Sequence, residues 1–540
     1  FNAGDAITTG GTNTVIGASS GTAITTGANN TFLGATSGDA TTTASQNVAV
    51  GSGALSANTT AGDNTAVGFA ALAANTTGTY NTAVGSQAGA SITGDGNYNT
   101  LVGAIAGDAI TTGDDNTAVG RGALSACTTS SFNNAFGSVA LEVLTTGNYN
   151  CAFGYKAAGA MTTGPANNAF GYQALDVATT GQHNNAFGAE ALGACTTGSY
   201  NIAVGGDALG AMTTASNNVA VGDDSLKATT TGANNTAVGI RTLDANTTGG
   251  SNTAIGADAL GANTTANNNT AVGQSALLKC TTGGSNTAVG YIALTNTTTA
   301  AGNTAFGVNA LLANTTGPNN TGIGYLSLDA NTTGSSNTAV GVNSMTSNTT
   351  AGGNTAIGNN ALGANTTGAS LVAVGANSLQ ANTTASYNVA VGHQAGMTQT
   401  TAAGNTLVGH AAGAYITTGA NNTFMGYIAG DAVTTGPQNT FVGSSAGSAY
   451  TTAANSTFVG YVAGGAVTTG ASNTFIGALA GDAVTTGHTS VLVGQSAGSA
   501  MTTASENVII GNNAGAALTT GSQNILIGDN AGAAGAITGI

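Results

Sequence analysis

A glycine closing an N-T-A-V-G-like segment returns at Gly17, Gly34, Gly51, Gly68 and Gly85, then at Gly103, Gly120 and onward to Gly511 and Gly528. There are 31 such glycines, and every interval is 17 residues except the 18 between Gly85 and Gly103. A period of 17 is too short for a helical hairpin, and no 3.6-residue apolar spacing runs through it. A coil of two or three short strands fits, each coil hydrogen-bonding to the next. The sequence therefore predicts an all-β, parallel β-solenoid of about 31 coils, a single continuous array over 1–540, with a length on the order of 150 Å at ~4.8 Å per coil. The one longer interval contains Gly94-Asp95-Gly96. An insertion is best tolerated in a turn, so this marks a corner of the coil.

Numbered from the asparagine, one unit reads Asn, Thr, Ala, Val, Gly, two variable residues, Ala, Leu, variable, Ala, Asn, Thr, Thr, Gly and two variable residues; Asn64 to Tyr80 is a representative copy. Slots 2 to 4 read as a strand, with slot 4 β-branched or aromatic (Val67, Ile255, Phe187), and slots 12 to 14 read as a second strand built on a Thr-Thr pair. Glycines at slots 5 and 15 and the variable pair at 16 and 17 carry turn chemistry. All three prolines, Pro165, Pro318 and Pro437, fall at slot 16, which places that slot outside the ladders. Asn fills slot 1 in 28 of 31 units, the exceptions being Leu371, Ser456 and Ser490. Two structural roles suit it: a ladder of amides bonding coil to coil, or a residue tolerating a left-handed turn.

Slots 3 and 9 exchange volume. Slot 9 is Leu or Met in 17 units, and slot 3 is then always Ala or Gly. Slot 9 is Gly in 13 units, and in 11 of these slot 3 is Val, Phe, Leu or Ile, as in Phe424 with Gly430 or Phe441 with Gly447. The counter-cases are Ala83 with Gly89 and Ala390 with Gly396, and one unit has Ala152 and Ala158. Close-packed interiors tolerate swaps that conserve volume, so the two slots are expected to share one space. Leu260→Gly should then leave a cavity that Ala254→Phe partly fills. Slot 12 follows the exchange, being Asn in many Leu-type units (Asn58, Asn382) and apolar in many Gly-type units (Ile416, Val433, Met501). The units fall into zones: mainly Gly-type over 1–51, mainly Leu-type over 52–392 and Gly-type over 393–540. The ladder and core residues expected from this pattern include Asn64, Val67, Gly68 and Leu72; Asn252, Ile255, Gly256 and Leu260; and Asn422, Phe424, Gly426 and Gly430. Slots 4 and 9 are expected inside, and slot 6 tyrosines such as Tyr291 and Tyr427 outside.

Composition excludes several function classes. With 86 Gly, no Trp and charged residues at 5%, the chain can build only a thin core. The five cations, Arg121, Lys156, Lys227, Arg241 and Lys279, are scattered within a formal charge of −15, which argues against nucleic acid as a partner. No apolar run approaches the roughly 18 residues of a membrane helix.

Segments such as Tyr387-Asn388-Val389-Ala390-Val391-Gly392 and Glu506-Asn507-Val508-Ile509-Ile510-Gly511 resemble the N-x-V-A-I-G repeats of trimeric autotransporter adhesin heads. The NTAVG and NTFIG units, with their AG and TTG segments, also look like repeats of phage and bacterial tail fibres. The resemblance covers almost the whole chain and implies a left-handed β-roll, commonly three chains around one axis, acting in attachment. The 17-residue period is longer than is usual for the adhesin heads.

No residue set calls for a catalytic centre, cofactor or metal. Cys127, Cys195 and Cys280 share slot 12 at least four coils apart, about 19 Å by strand spacing, and so read as free thiols alongside Cys151, with cross-links between chains as the alternative. His393 and His410 share slot 6 in neighbouring coils, two ligands without a third. Asp at slot 10 (Asp108, Asp176, Asp431, Asp482) reads as solvated charge. N-T-T triplets such as Asn58-Thr59-Thr60 and Asn314-Thr315-Thr316 match the glycosylation sequon, but the repeat generates them, and an inward slot 12 would hide them.

The expected function is a structural or adhesive fibre, extracellular, at the cell surface or on a virion, and not an enzyme. The alternative is an ice-binding Thr-rich solenoid; a carbohydrate-processing β-helix enzyme would need an acidic cluster that breaks the repeat. The expected partner is a further copy of the chain, three around an axis, with a cell-surface or carbohydrate receptor as a possible target. The chain opens at Phe1-Asn2-Ala3-Gly4-Asp5 and closes at Gly535-Ala536-Ile537-Thr538-Gly539-Ile540, inside repeat units, so end-to-end stacking or continuation into further sequence is also expected.

Overall fold

A computed structural model describes residues 2–533, so the closing segment singled out above lies outside the described residues. The chain divides into two compact units, 1–269 and 270–540. The first contains fifteen strands, β1 (Thr14–Ile16) to β15 (Thr253–Ile255), and the second sixteen, β16 (Thr270–Val272) to β31 (Ile525–Ile527). Each unit is a parallel β-solenoid with one three-residue strand per coil, at slots 2 to 4, and there is no helix among the described residues. Pairing is parallel and in register: Thr65, Ala66 and Val67 of β4 (Thr65–Val67) face Thr82, Ala83 and Val84 of β5 (Thr82–Val84). The 18-residue coil keeps the same register with β6 (Thr100–Val102), its extra residue absorbed in a turn at Gly94-Asp95.

The expected second strand at slots 12 to 14 does not form. A narrower ladder stands there: the Thr59 N–H and Thr59 Oγ1 both donate to the Thr76 carbonyl of the next coil, at 3.2 and 3.3 Å. One shared acceptor per coil replaces the alternating pattern a strand requires. The corners are turned by left-handed residues at slots 7, 9 and 17, as at Ala70, Leu72 and Tyr80 with φ of 53°, 52° and 59°. Such residues direct their N–H along the stack: Ala70 donates to Ser52 of the preceding coil and Leu72 to Ala88 of the following one, both at 3.0 Å. Slot 5 must be glycine for two reasons: Gly68 has φ of 139°, and a Cβ there would collide with the Gly85 carbonyl of the next coil.

Slot 1 asparagine serves as a ladder and not as a turn residue, since none of these asparagines has positive φ. Asn64 Nδ2 donates to the Gly78 carbonyl at 2.9 Å, joining the two ends of its own coil. Its Oδ1 accepts the Asn81 N–H of the next coil at 2.9 Å, and its own N–H reaches Asn47 Oδ1 at 3.0 Å. Asn252 and Asn422 sit equally buried in the same arrangement. Ser456 and Ser490 keep the acceptor through Oγ, for Asn473 and Asn507. Leu371 still donates to Asn354 Oδ1 but has no oxygen for the Asn388 N–H. The shorter Ser456 leaves room for the buried ring of Tyr450, whose hydroxyl meets Ser456 Oγ at 2.9 Å.

Inside each coil, slots 1, 3, 8, 9, 12 and 15 point inward, as in Asn64, Ala66, Ala71, Leu72, Asn75 and Gly78. The shared space of slots 3 and 9 is directly visible. A Cβ on Gly430 would lie 2.7 Å from Phe424 Cε2, and one on Gly447 would lie 2.6 Å from Phe441 Cε2. The exchange also acts between coils, with a direction. A Cβ on Gly322, at slot 3, would approach Leu311 Cγ of the preceding coil to 3.2 Å. Slot 9 leucine thus leans toward slot 3 of the coil that follows it. This accounts for both counter-cases. Gly89 lies between Leu72 and Leu101, whose methyls would stand 2.9 and 2.8 Å from its Cβ, and Gly396 lies in the same way between Leu379 and Leu407. Each is an adapter coil with small residues at both slots, placed where a Leu-type run gives way to a Gly-type coil. All 17 units with Leu or Met at slot 9 are followed by a unit with Ala or Gly at slot 3.

The direction of this packing changes the expectation for the swap at Leu260. Leu260→Gly should destabilise by about 2 to 5 kcal/mol through its cavity, but Ala254→Phe should not rescue it, because Leu243 of the preceding coil leans into that slot. Leu55→Gly with Ala49→Phe should recover stability, because the preceding coil carries Gly38 at slot 9. Denaturant unfolding of both double mutants checks this, and equal rescue at the two sites would refute the directional contact.

Candidate functional site: the outward face of the sheet

Strand residues alternate between faces, so an inward slot 3 forces slots 2 and 4 outward. Slot 4 was expected inside with slot 9, and the structure corrects this. Leu72 and Leu260 are fully buried, but Val67 is half-exposed, Ile255 is 41% exposed and Phe306 is 56% exposed. The inward strand position is slot 3, occupied by Ala66 and Phe424. Tyr291 and Tyr427 at slot 6 are 51% and 57% exposed, as expected. Slot 4 is apolar in every unit, and slots 2 and 4 together contain no charged residue in a chain with 25 of them. Each unit therefore presents one uncharged face, a column of mostly Thr beside a column of Val, Ile and Phe.

The face changes character at β8 (Asn134–Phe136), β9 (Cys151–Phe153), β10 (Asn168–Phe170) and β11 (Asn185–Phe187). The four slot 4 rings stack with centroids 4.4, 4.8 and 4.9 Å apart, and beside them Asn168 Nδ2 donates to Asn185 Oδ1 at 2.7 Å. Phe153 remains 36% and Phe187 40% exposed. Face-to-face stacking turns ring edges outward, which removes the flat platform on which a sugar ring would lie.

Charge gathers elsewhere, at slots 6, 7 and 10. An open groove of about 480 Å³ in the first unit is lined by Gln173, Asp176, Glu190, Gly193, Asp207, Gly210 and Lys227 among others. Lys227 Nζ already bridges Asp207 and Asp224 at 3.0 and 2.8 Å, so the groove holds its own cation. Arg241 pairs with one carboxylate, its Nε 2.9 Å from Asp258 Oδ1.

All four cysteines are free, with Cys127, Cys195 and Cys280 buried. Burial pushes Cys195 and Cys280 up to about 11, which keeps them protonated and unreactive. Cys151 sits at slot 2 on the outward face, half-buried. His393 and His410 stack at 5.2 Å, and Tyr427 continues the stack at 5.3 Å. Ring nitrogen lone pairs lie in the ring plane, so two stacked imidazoles do not converge on one ion. Among the described residues no group of three potential ligands forms. Asn58 and Asn314 of the sequons are fully buried, and Asn314 belongs to a second inner ladder in which it accepts from Asn331 at 2.9 Å.

The chain is thus a parallel β-solenoid whose most regular surface is an uncharged sheet face. Neither the protein-family models nor the curated proteins compared with the chain give a match.

Asp176 accepts from Gln173 Nε2 at 3.0 Å, but five other slot 10 aspartates are only partly solvated. Asp39, Asp108, Asp329, Asp431 and Asp482 each have a buried Oδ1 without a hydrogen-bond partner, and burial raises the pKa of each. A carboxyl with a raised folded pKa binds protons more tightly in the fold than in the unfolded chain. Its stabilising contribution is complete below the unfolded value near 4 and is lost as pH rises through the folded value. The protein should therefore become more stable on mild acidification toward that value. Asp431→Asn should raise the melting temperature at pH 7 and flatten this dependence, and thermal melts across pH 4 to 7 would show it.

Proposed function

We propose that this protein is a structural or adhesive fibre component, outside the cell or on a virion, whose copies associate side by side through the slot 2 and slot 4 face. The observation supporting this reading is the unbroken outward apolar column at slot 4 on a face without charge. A chain with a formal charge of −15 can meet its own copy closely only where like charges are absent. Interface centres are depleted of charge in the same manner. The available area is of the right order: fifteen coils at ~4.8 Å and a strip ~10 Å wide give about 700 Å² per partner in the first unit alone, against ~800 Å² in a standard stable interface. The thin core supplies the driving force, because each coil has little else to bury. Three copies around an axis would seclude the column from water, and the reading assigns the chain no catalytic role. The charged and aromatic slots on the remaining surface would stay free to meet a receptor.

Sedimentation velocity on the purified chain tests the reading, with an oligomer expected at micromolar concentration. Val204→Asp with Val238→Asp, both outward, should dissociate it while leaving the β circular dichroism spectrum unchanged. A wild-type chain that stays monomeric would exclude association through this face.

One observation favours the ice-binding alternative: the slot 2 threonines form an outward column at coil spacing. The second outward position of the same strand is apolar, however, and the slot 13 hydroxyls are engaged with backbone, as Thr59 is. Thermal hysteresis shown by a dispersed monomer would select that reading, and none is expected.

A further inference from the structure

We infer that the slot 17 corner of the first unit is a binding site for a partner's arginine, whose guanidinium enters between the rings of Tyr98 and Phe132 over the carboxylate of Asp115. This gives a chemistry to the receptor contact in the reading above, but it rests on the corner beside the slot 2 and slot 4 face and not on that face.

Along most of the chain slot 17 is a small or polar residue, most often Asn or Ser. Within eight consecutive coils it becomes three aromatic pairs, Tyr80 with Tyr98, Phe132 with Tyr149 and His183 with Tyr200, and Asp115 and Ala166 stand singly between them. All six rings sit on backbone with φ between 56° and 62°, a conformation bulky side chains rarely adopt. They gain no burial from it, since Phe132 is 46% and Tyr149 62% exposed. The turn itself needs only backbone: the N–H groups of Tyr98, Asp115 and Phe132 donate to the carbonyls of Thr79, Asn97 and Asp114 in the preceding coil at 3.2, 3.1 and 3.1 Å. Strain accepted at an exposed corner, where the fold does not require it, points to a contact outside the chain.

Stacking within the chain does not explain the pattern. The pairs stack at 5.1, 5.2 and 5.1 Å with planes within 12° of each other. If stacking were the purpose the column would run on, as the slot 4 rings of the same region do from Phe136 to Phe187. Here each stack stops after two rings. The interruption leaves Tyr98 and Phe132 facing each other across two coils, about 10 Å. A planar group at the height of the omitted ring would lie ~5 Å from each, inside the ~6 Å reach of a cation–π contact. Asp115 ends where a ring would begin, so its carboxylate forms the base of the gap, and among the described residues it takes part in no ion pair.

A guanidinium suits all three groups at once, being flat, permanently charged and able to fork onto a carboxylate. An ammonium has no flat face. None of the chain's five cations occupies slots 15 to 17, and the formal charge is −15, so the cation comes from another molecule. The second gap, between Tyr149 and His183 over Ala166, lies three coils further on, about 14 Å. Four residues of an extended strand span the same length and return a side chain to the same side. The uncharged base at Ala166 suits a ring. The partner segment is therefore extended, with an aromatic residue four positions from its arginine.

The chain contains no Trp, so tryptophan emission reports a peptide alone. The probe is a nonapeptide with arginine at its centre, tryptophan at both ends and threonine elsewhere, which sets a ring four residues away in either direction. Its fluorescence anisotropy is followed as the full-length chain is added. Saturable binding is expected, weakened about tenfold by Asp115→Asn, by Asp115→Tyr, and by lysine in place of the peptide's arginine. Asn and Tyr are native to slot 17, so the circular dichroism spectrum should not change. Absence of saturable binding, indifference to either Asp115 variant, equal binding of the lysine peptide or displacement by a neutral oligosaccharide would each overturn the inference. Ala166→Tyr should also weaken binding, and an unchanged affinity there would refute the four-residue spacing. Asp115→Tyr should leave the sedimentation coefficient as it is in the wild type; dissociation would assign the gap to a second copy of the chain and sink the idea. A monomeric wild type that binds the peptide would remove the association reading alone.

Discussion

The amide of the slot 1 asparagine makes the rest of this architecture possible, because it solves two problems with one side chain. A 17-residue coil must close on itself, and each closed coil must be fixed to the next. Asn64 Nδ2 ties the end of its coil through Gly78, while Oδ1 accepts a backbone N–H from the coil that follows. Each such bond is worth only about 0.5 to 1.5 kcal/mol net. Repetition and burial make the ladder decisive, since a missing acceptor leaves a buried N–H without its partner in the next coil. The natural exceptions follow this logic, with serine keeping an acceptor and Leu371 giving one up.

With closure assigned to a polar ladder, the apolar interior needs only a few atoms per coil, and their arrangement becomes restrictive. Slot 9 is held at positive φ by the path of the corner, a conformation that costs a leucine about 1 to 2 kcal/mol relative to the usual helical hand. A Leu-type coil accepts that strain to fill its centre from slot 9, whereas a Gly-type coil relieves it and fills the centre from slot 3. Both solutions are self-consistent in runs. The phenylalanines of the second unit show this, as Phe424, Phe441, Phe458 and Phe475 stack at 4.7 to 4.9 Å inside the solenoid.

Much of this was legible in the residues. Period, strand position, the inward slot 12 and the shared space of slots 3 and 9 follow from spacing and volume alone. The misreading of slot 4 is instructive, because the needed signal was present: if slot 3 exchanges volume with slot 9 inside the coil, the alternation of a strand requires slot 4 to point out. Apolar character alone puts Val67 and Ile255 inside, and strand alternation overrides it. The Thr-Thr pair was read as a strand on propensity, yet its carbonyl acts as a single shared acceptor, a geometry no propensity scale encodes. The unpartnered oxygens of the slot 10 aspartates were equally invisible, since a short acid at a corner looks the same in sequence whether its oxygen meets water or backbone.

The lean of the slot 9 leucine toward the following coil has a consequence for how such a gene can change. Unequal crossing-over adds or removes repeats in steps of one unit, and a duplication inside either zone reproduces contacts already present. Across a zone border the outcome depends on orientation. A Gly-type coil can be followed at once by a Leu-type coil, as Gly107 is by Ala118 and Leu124. The reverse joint needs an adapter such as Ala83 with Gly89. The solenoid therefore has a grammar with a reading direction, in which some fusions of its own segments are permitted immediately and their mirror images require one more repeat.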